Sequence, residues 1–154
     1  MRKVLLLSLS AFWIGLFVSL SAVAETSDHD QWFQNEYARL WVEKPWNNRD
    51  EIAAYYTKSF TEHPADDFQQ VYSNQEVLGN DLASWQKDGW LSSAVVGYQS
   101  ELLNETTATF KIKWRDVYTN TSNELSCAWY MADFTGEKWL FTQYADIDCA
   151  PHGM

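Results

Sequence analysis

Apolar side chains recur along this chain with two periods, and the change from one to the other marks its architecture. Behind Ser27-x-x-Asp30, a capping-box-like start with Asp in place of Glu, Phe33, Tyr37, Leu40 and Trp41 fall at helical spacing. They predict an amphipathic helix over 28–43. Lys44-Pro45 ends it, because the residue before a proline is pushed out of the α region. Asn47 or Asn48 caps a second helix with the buried stripe Ile52, Tyr55, Tyr56, Ser59 and Phe60, stopped by His63-Pro64. The pattern over 65–73 is weaker: FQQVYS at 68–73 reads as a short strand and Asp66-Asp67 as loop. A third helix fits 74–88, with Asn74 as cap and Val77, Leu78, Leu82 and Trp85 on one face. Gly79 weakens its middle by about 1 kcal/mol relative to Ala, and Gly89 is placed to terminate it.

From Trp90 onward the period becomes two. Strands are predicted at about 91–103, 107–118, 124–134 and 138–148, joined by short connections at 104–106, 119–123 and 135–137. Short connections between β runs mean a meander of hairpins. Helices followed by a four-strand antiparallel sheet is the order of an α+β domain.

Alternation assigns faces to the sheet. In 107–118 the even positions Ala108, Phe110, Ile112, Trp114, Asp116 and Tyr118 form the core or cavity face. With Tyr118 opposite Glu124, that face continues through Ser126, Ala128, Tyr130, Ala132 and Phe134. A two-residue turn at Gly136-Glu137 then adds Trp139, Phe141, Gln143, Ala145 and Ile147. A slip of one residue would invert any of these assignments. Asp116 stands on the apolar face beside Ser126, either as a hydrogen-bonded rim group or as an acid working in a pocket. The opposite face carries Leu125, Cys127, Trp129, Met131, Leu140, Thr142 and Tyr144 beside Lys111, Lys113 and Arg115. A half-apolar outer face suggests a covered surface, most simply a homodimer contact, although scattered surface apolar residues are common.

The amino terminus adds a compartment. Arg2 and Lys3 precede the apolar run Val4–Leu20, and Ala22-Val23-Ala24 supplies the small-x-small pattern of a signal peptidase site. Residues 1–24 are therefore expected to be a cleaved signal peptide and 25–154 a single exported domain, periplasmic or secreted. A membrane anchor is the competing reading, since the run approaches the length that spans a bilayer. The leader holds two bases and no acids, so its loss takes the formal charge from −10 to −12. A chain this acidic is repelled by phosphate backbones and anionic lipid surfaces, so neither nucleic acid nor, after cleavage, a membrane is an expected partner. In an oxidising compartment Cys127 and Cys149 make a disulfide pair, with two free thiols as the alternative. Strict alternation puts them on opposite faces, so a bridge needs a bulge or a strand end between Tyr144 and Cys149.

Nine Trp, eight Tyr and eight Phe are many for this length, and suit a tight core or the wall of a ligand cavity. Three histidines far apart, with no HExxH, CxxC or Asp-rich loop, give a metal site no support. Nucleophile elbows and glycine-rich phosphate cradles are likewise missing, and no cofactor is indicated.

The element order, the run YYTKSFTEHP and the closing segment with Trp139 and Phe141-Thr142-Gln143-Tyr144 resemble the nuclear transport factor 2-like superfamily. That group includes SnoaL-like cyclases and ketosteroid isomerases. The resemblance spans 28–148. It implies a cone-shaped curved antiparallel sheet packed on three N-terminal helices, an apolar pocket open at one end, and, in many members, a dimer packed through the sheet. The pocket lining would be Phe110, Ile112, Trp114, Tyr130 and Phe141 from the sheet face, with Trp90, Tyr37 and Tyr56. The family's enzymes use a pocket carboxylate or an Asp–His pair as base, for which Asp116 and His63 are the candidates. Three functions follow as expectations. They are an exported domain binding a small, partly apolar molecule, a SnoaL-like or ketosteroid isomerase-like enzyme in the same pocket, and an accessory domain acting on a partner protein.

Overall fold

The computed structural model describes residues 28–63, 71–120 and 123–149. The leader, Ser27 and most of the 65–73 stretch lie outside them. The chain enters as one helical run of three windings: α1 (Asp28–Gln31), a π-helical segment (Trp32–Tyr37) and a 3-10 turn (Ala38–Trp41). The wider π turn brings Trp32 and Phe33 onto the same side as Tyr37. All three are buried, as are Leu40 and Trp41. The capping box falls on Ser27, which lies outside the described residues, and Asp30 has a second role. Its carboxylate accepts from the Tyr98 and Ser100 hydroxyls and fastens the helical run to the sheet.

Lys44 takes a left-handed conformation (φ 48°) and turns the chain into a 3-10 turn (Pro45–Asn48) and the short helix α2 (Arg49–Ala53). Asn48 precedes α2 but makes no side-chain cap; its amide donates to the Leu40 carbonyl at 3.2 Å. The second helix ends far earlier than the sequence pattern suggests. Tyr56–His63 is strand β1, not helix. Residues four apart share a face in a helix and in a strand alike, so the Tyr56–Phe60 spacing satisfies both periods. Pairing with a distant strand decides between them.

After β2 (Val71–Asn74), helix α3 (Gln75–Lys87) begins where expected, with the Asn74 side chain accepting from the Glu76 and Val77 amides at 3.0 Å. Leu78 and Leu82 are buried, whereas Val77 and Trp85 remain 42% and 41% exposed. Gly89, at φ +95°, ends the helix. Strands β3 (Trp90–Asn104), β4 (Thr107–Tyr118), β5 (Asn123–Phe134) and β6 (Trp139–Ile147) form the meander.

The sheet has six strands in the order β2-β1-β6-β5-β4-β3 and is curved and mixed. This corrects the expected four-strand, purely antiparallel sheet, because β1 runs parallel to β6. Asp116 rather than Tyr118 pairs with Glu124. The shift is two residues, so the faces keep their parity. Phe134 pairs with Trp139 around Gly136-Glu137, as expected.

One larger correction concerns β6. Ala132 pairs with Phe141 but Met131 pairs with Gln143, which leaves Thr142 as an extra residue. This bulge inverts the rest of the strand. Trp139 and Phe141 face the core; beyond the bulge it is Tyr144 and Asp146 that point inward, while Gln143, Ala145 and Ile147 turn outward. Ile147 then pairs with Cys127, so Cys127 and Cys149 reach the same face and are bridged, with their Cα atoms 5.3 Å apart. The irregularity that the disulfide requires exists, a few residues earlier than expected.

Candidate ligand-binding site

The concave face of the sheet is filled for half of its length and hollow for the rest. In the filled half Phe33 stacks on Phe110 with ring centroids 5.2 Å apart, Tyr37 meets Phe141 edge-on at 4.7 Å, and His29 lies edge-on to Phe110 and Trp139. Phe110, Ile112, Phe141 and Tyr37 are fully buried there. They form the core beneath the helical run, not the pocket lining that the resemblance implies for them. Alternation tells which face a residue takes but not how far along the cone the helix plugs it.

The hollow half holds a cavity of about 380 Å³, within the range of roughly 300–1,000 Å³ typical of small-molecule sites. Of the expected lining residues, Tyr56, Trp90, Trp114 and Tyr130 are on its wall. Strand β1 adds Phe60 and Glu62, helix α3 adds Leu78, Asp81 and Trp85, and the helical run adds Trp41. Strands β4 and β5 add Asp116, Tyr118 and Ser126; β6 adds Tyr144 and Asp146. A helical reading of β1 keeps Phe60 on the buried stripe but hides Glu62, and the bulge hides Tyr144 and Asp146. Asp81 was within reach, since it follows Leu78 by three positions and precedes Trp85 by four, on the face the helix buries.

Two polar constellations organise this wall. Tyr56 on the cavity wall is backed by Tyr37 from the core, their hydroxyls 2.9 Å apart in full burial, and Tyr130 is a further partner of Tyr56 with Trp114 beside it. Burial lifts all three phenols above their ordinary range, and neighbouring phenols reinforce this for Tyr37 and Tyr130. They stay neutral and act as hydroxyl donors and acceptors. On the β3–β4–β5 side the Ser93 hydroxyl donates to one oxygen of Asp116 and the Ser126 hydroxyl to the other at 2.5 Å. The Trp90 indole N–H donates to Ser93 at 3.0 Å. Asp116 therefore faces the cavity as parity placed it, with both oxygens engaged.

His63 ends β1 opposite Ala145 and does not line the cavity. Alternation sends Glu62 in and His63 out, so Asp116 and His63 are not brought together. Glu62 instead shares its corner with Asp81 and Asp146. Burial raises the Glu62 carboxyl above its usual range, and these two carboxylates add to the effect. Burial likewise raises Asp81. The Tyr144 hydroxyl donates to Asp146, and its own ionisation is pushed up by burial and then by that carboxylate.

A curved mixed sheet wrapped on short amino-terminal helices, with a cavity at one end, defines the nuclear transport factor 2-like fold, and this chain has it. It is similar to a nuclear transport factor 2-like protein with a cystatin-like fold from Novosphingobium aromaticivorans, with a TM-score of 0.57 and 9% identity, over 76% of this chain and 77% of that one. A domain of unknown function with a cystatin-like fold from Nostoc punctiforme matches with a TM-score of 0.57 and 12% identity, over 79% and 77%. The beta subunit of the benzoate 1,2-dioxygenase from Burkholderia mallei matches with a TM-score of 0.55 and 16% identity, over 81% and 95%. At these identities the likeness is one of fold. No protein-family model matches the sequence, and no curated protein sequence matches it.

Proposed function

We propose that this chain is an exported domain that binds a small, partly apolar molecule in the cavity of its cone. The observation that carries the reading is the cavity itself: about 380 Å³ of space bordered by Trp41, Tyr56, Trp90, Trp114 and Tyr130. Aromatic walls of this kind give large contact area with little loss of side-chain freedom, while a few polar groups fix orientation. The disulfide supports export, and no helix among the described residues is long and apolar enough to cross a membrane. Several indoles border the cavity, so a ligand should change tryptophan fluorescence as well as raise the melting temperature. A thermal-shift screen over steroids, polyketides, phenolics and acyl compounds tests the proposal; absence of stabilisation by every class counts against it. Amino-terminal sequencing of the exported protein should begin at Glu25.

Catalysis is the second reading, and Asp116 on the cavity wall is what favours it. Asp116→Asn should then abolish turnover of a ligand found in the screen while leaving its affinity in place. Unchanged turnover would remove Asp116 from the mechanism. A homodimer through the outer sheet face is a further expectation. It now rests on Leu125, Trp129, Met131 and Leu140, because Tyr144 turns inward. Light scattering that gives the monomer mass would rule it out.

A further inference from the structure

We infer that the cavity takes an organic cation, a small amine or quaternary ammonium compound carrying an apolar part. This narrows the proposed small-molecule function and rests on it. Among the described residues the charged side chains on the wall come from four different elements, and all are acids: Glu62 on β1, Asp81 on α3, Asp116 on β4 and Asp146 on β6. No lysine, arginine or histidine among the described residues lines the space. An anionic ligand would meet like charge on several sides in a partly dehydrated site, where such repulsion is strong.

The rest of the wall has the same preference. Trp41, Trp85, Trp90 and Trp114 border the cavity, and an indole presents a negative face that attracts a cation lying over it. Quaternary ammonium groups suit such walls because their charge is spread over methyl groups that also benefit from leaving water. The two features met here, carboxylates and aromatic faces on one wall, are those that suit an apolar cation.

The acids are also incompletely neutralised. Asp116 receives two serine hydroxyls and Asp146 the Tyr144 hydroxyl. Glu62 is acted on by Asp81 and Asp146, both carboxylates, with the Ser73 hydroxyl working the other way. A bound cation between Glu62 and Asp81 would relieve that crowding. A metal ion is the other cation to weigh. Among the described residues no three carboxylate, histidine or cysteine groups converge as metal ligands, and the acids are distributed around an aromatic space too large for one ion.

The test is a set of tryptophan fluorescence titrations of the folded, disulfide-bonded protein with benzyltrimethylammonium, benzyl alcohol and phenylacetate at fixed ionic strength, with calcium chloride as a fourth arm. Benzyltrimethylammonium should bind about tenfold tighter than benzyl alcohol, and phenylacetate weakest. The double variant Glu62→Gln, Asp81→Asn should lose most of that preference. Asp50→Asn, which removes an acid whose side chain is 95% exposed on α2, should keep it and so excludes general attraction to an acidic surface. Equal or tighter binding of the alcohol or phenylacetate overturns the inference and leaves the small-molecule reading standing. A preference that survives the double variant, or calcium displacing the ammonium probe, also overturns it. If none of the organic probes binds, the inference fails along with the small-molecule reading for this class of compound.

Discussion

Breaking the Cys127–Cys149 bridge gives a quantity that can be worked out in advance. The cysteines are 22 positions apart, and closing a loop of that length in the unfolded chain removes about 11 cal/mol/K, or about 3 kcal/mol at 25 °C on the chain-entropy estimate. For a domain of this size each kcal/mol moves the midpoint by roughly 3–5 °C, so the expected loss is about 10–15 °C. The perturbation of choice is Cys149→Ser. Cys149 lies past the end of β6 and is partly exposed, whereas Cys127 is only 4% exposed and its replacement would also disturb packing. Calorimetry should place Cys149→Ser and the reduced wild-type protein at the same midpoint, both well below the oxidised protein. Equality is the informative part, because it locates the effect in the unfolded chain, where the two share the same freedom. If reduced wild type melts close to the oxidised protein, the loop-closure account is refuted. Two titratable thiols in the exported protein would remove the bridge altogether.

Two other perturbations follow from the geometry. Gly89→Ala should cost about 1–3 kcal/mol, because the residue sits at φ +95° and an added Cβ would lie 2.6 Å from the Thr119 side-chain oxygen. Adding Thr119→Ala should recover part of that loss in denaturant unfolding, and an unchanged midpoint for the single variant would contradict it. The raised carboxyls of Glu62 and Asp81 fix a sign for pH. Their folded pKa values lie above the unfolded ones, so in that window the folded state holds more protons. Through these groups stability rises as pH falls from neutral through the raised pKa, and is lost again as pH climbs back. Glu62→Gln should therefore raise the melting temperature at neutral pH and flatten its acid-side slope. A lower melting temperature for that variant at neutral pH would show that the carboxylate is stabilising.

Much of the carboxyl-terminal half could be read from local pattern, because its strands pair with their sequence neighbours. The stretch Ala108 to Tyr118 alternates so cleanly that the direction of Asp116 came out correctly even with the hairpin register two residues off. Asn74 and Gly89 announce the ends of α3 through chemistry intrinsic to those residues. What local pattern could not supply was set by distant partners. Strand β1 exists because Tyr56 pairs with Phe141 and Glu62 with Tyr144, far away in sequence. The same long-range pairing hid Glu62, and with it the acid corner of the cavity. One apolar face serves both core and cavity, so alternation alone does not separate Phe110, Ile112 and Phe141 from the cavity wall. Only the reach of the Trp32–Trp41 helical run divides it.

The unpaired Thr142 sets how this chain can change over time. Substitutions along β6 alter one side chain each and leave neighbours where they are. Loss of Thr142 itself would straighten the strand and keep Tyr144 opposite Tyr130. Pairing Thr142 into the ladder, with no residue left over, would instead act like a frame shift in the strand. Tyr144 and Asp146 would rotate out of the cavity, Gln143 and Ala145 would take their places, and Cys149 would turn away from Cys127. Two properties with no direct contact, the polarity of the cavity and the covalent closure of the domain, thus share one insertion. Length variation should gather in the loops and at the bulge, and a library of single deletions across 139–147 should yield folded, oxidised protein only when the change falls at the ends or at the extra residue between Phe141 and Gln143.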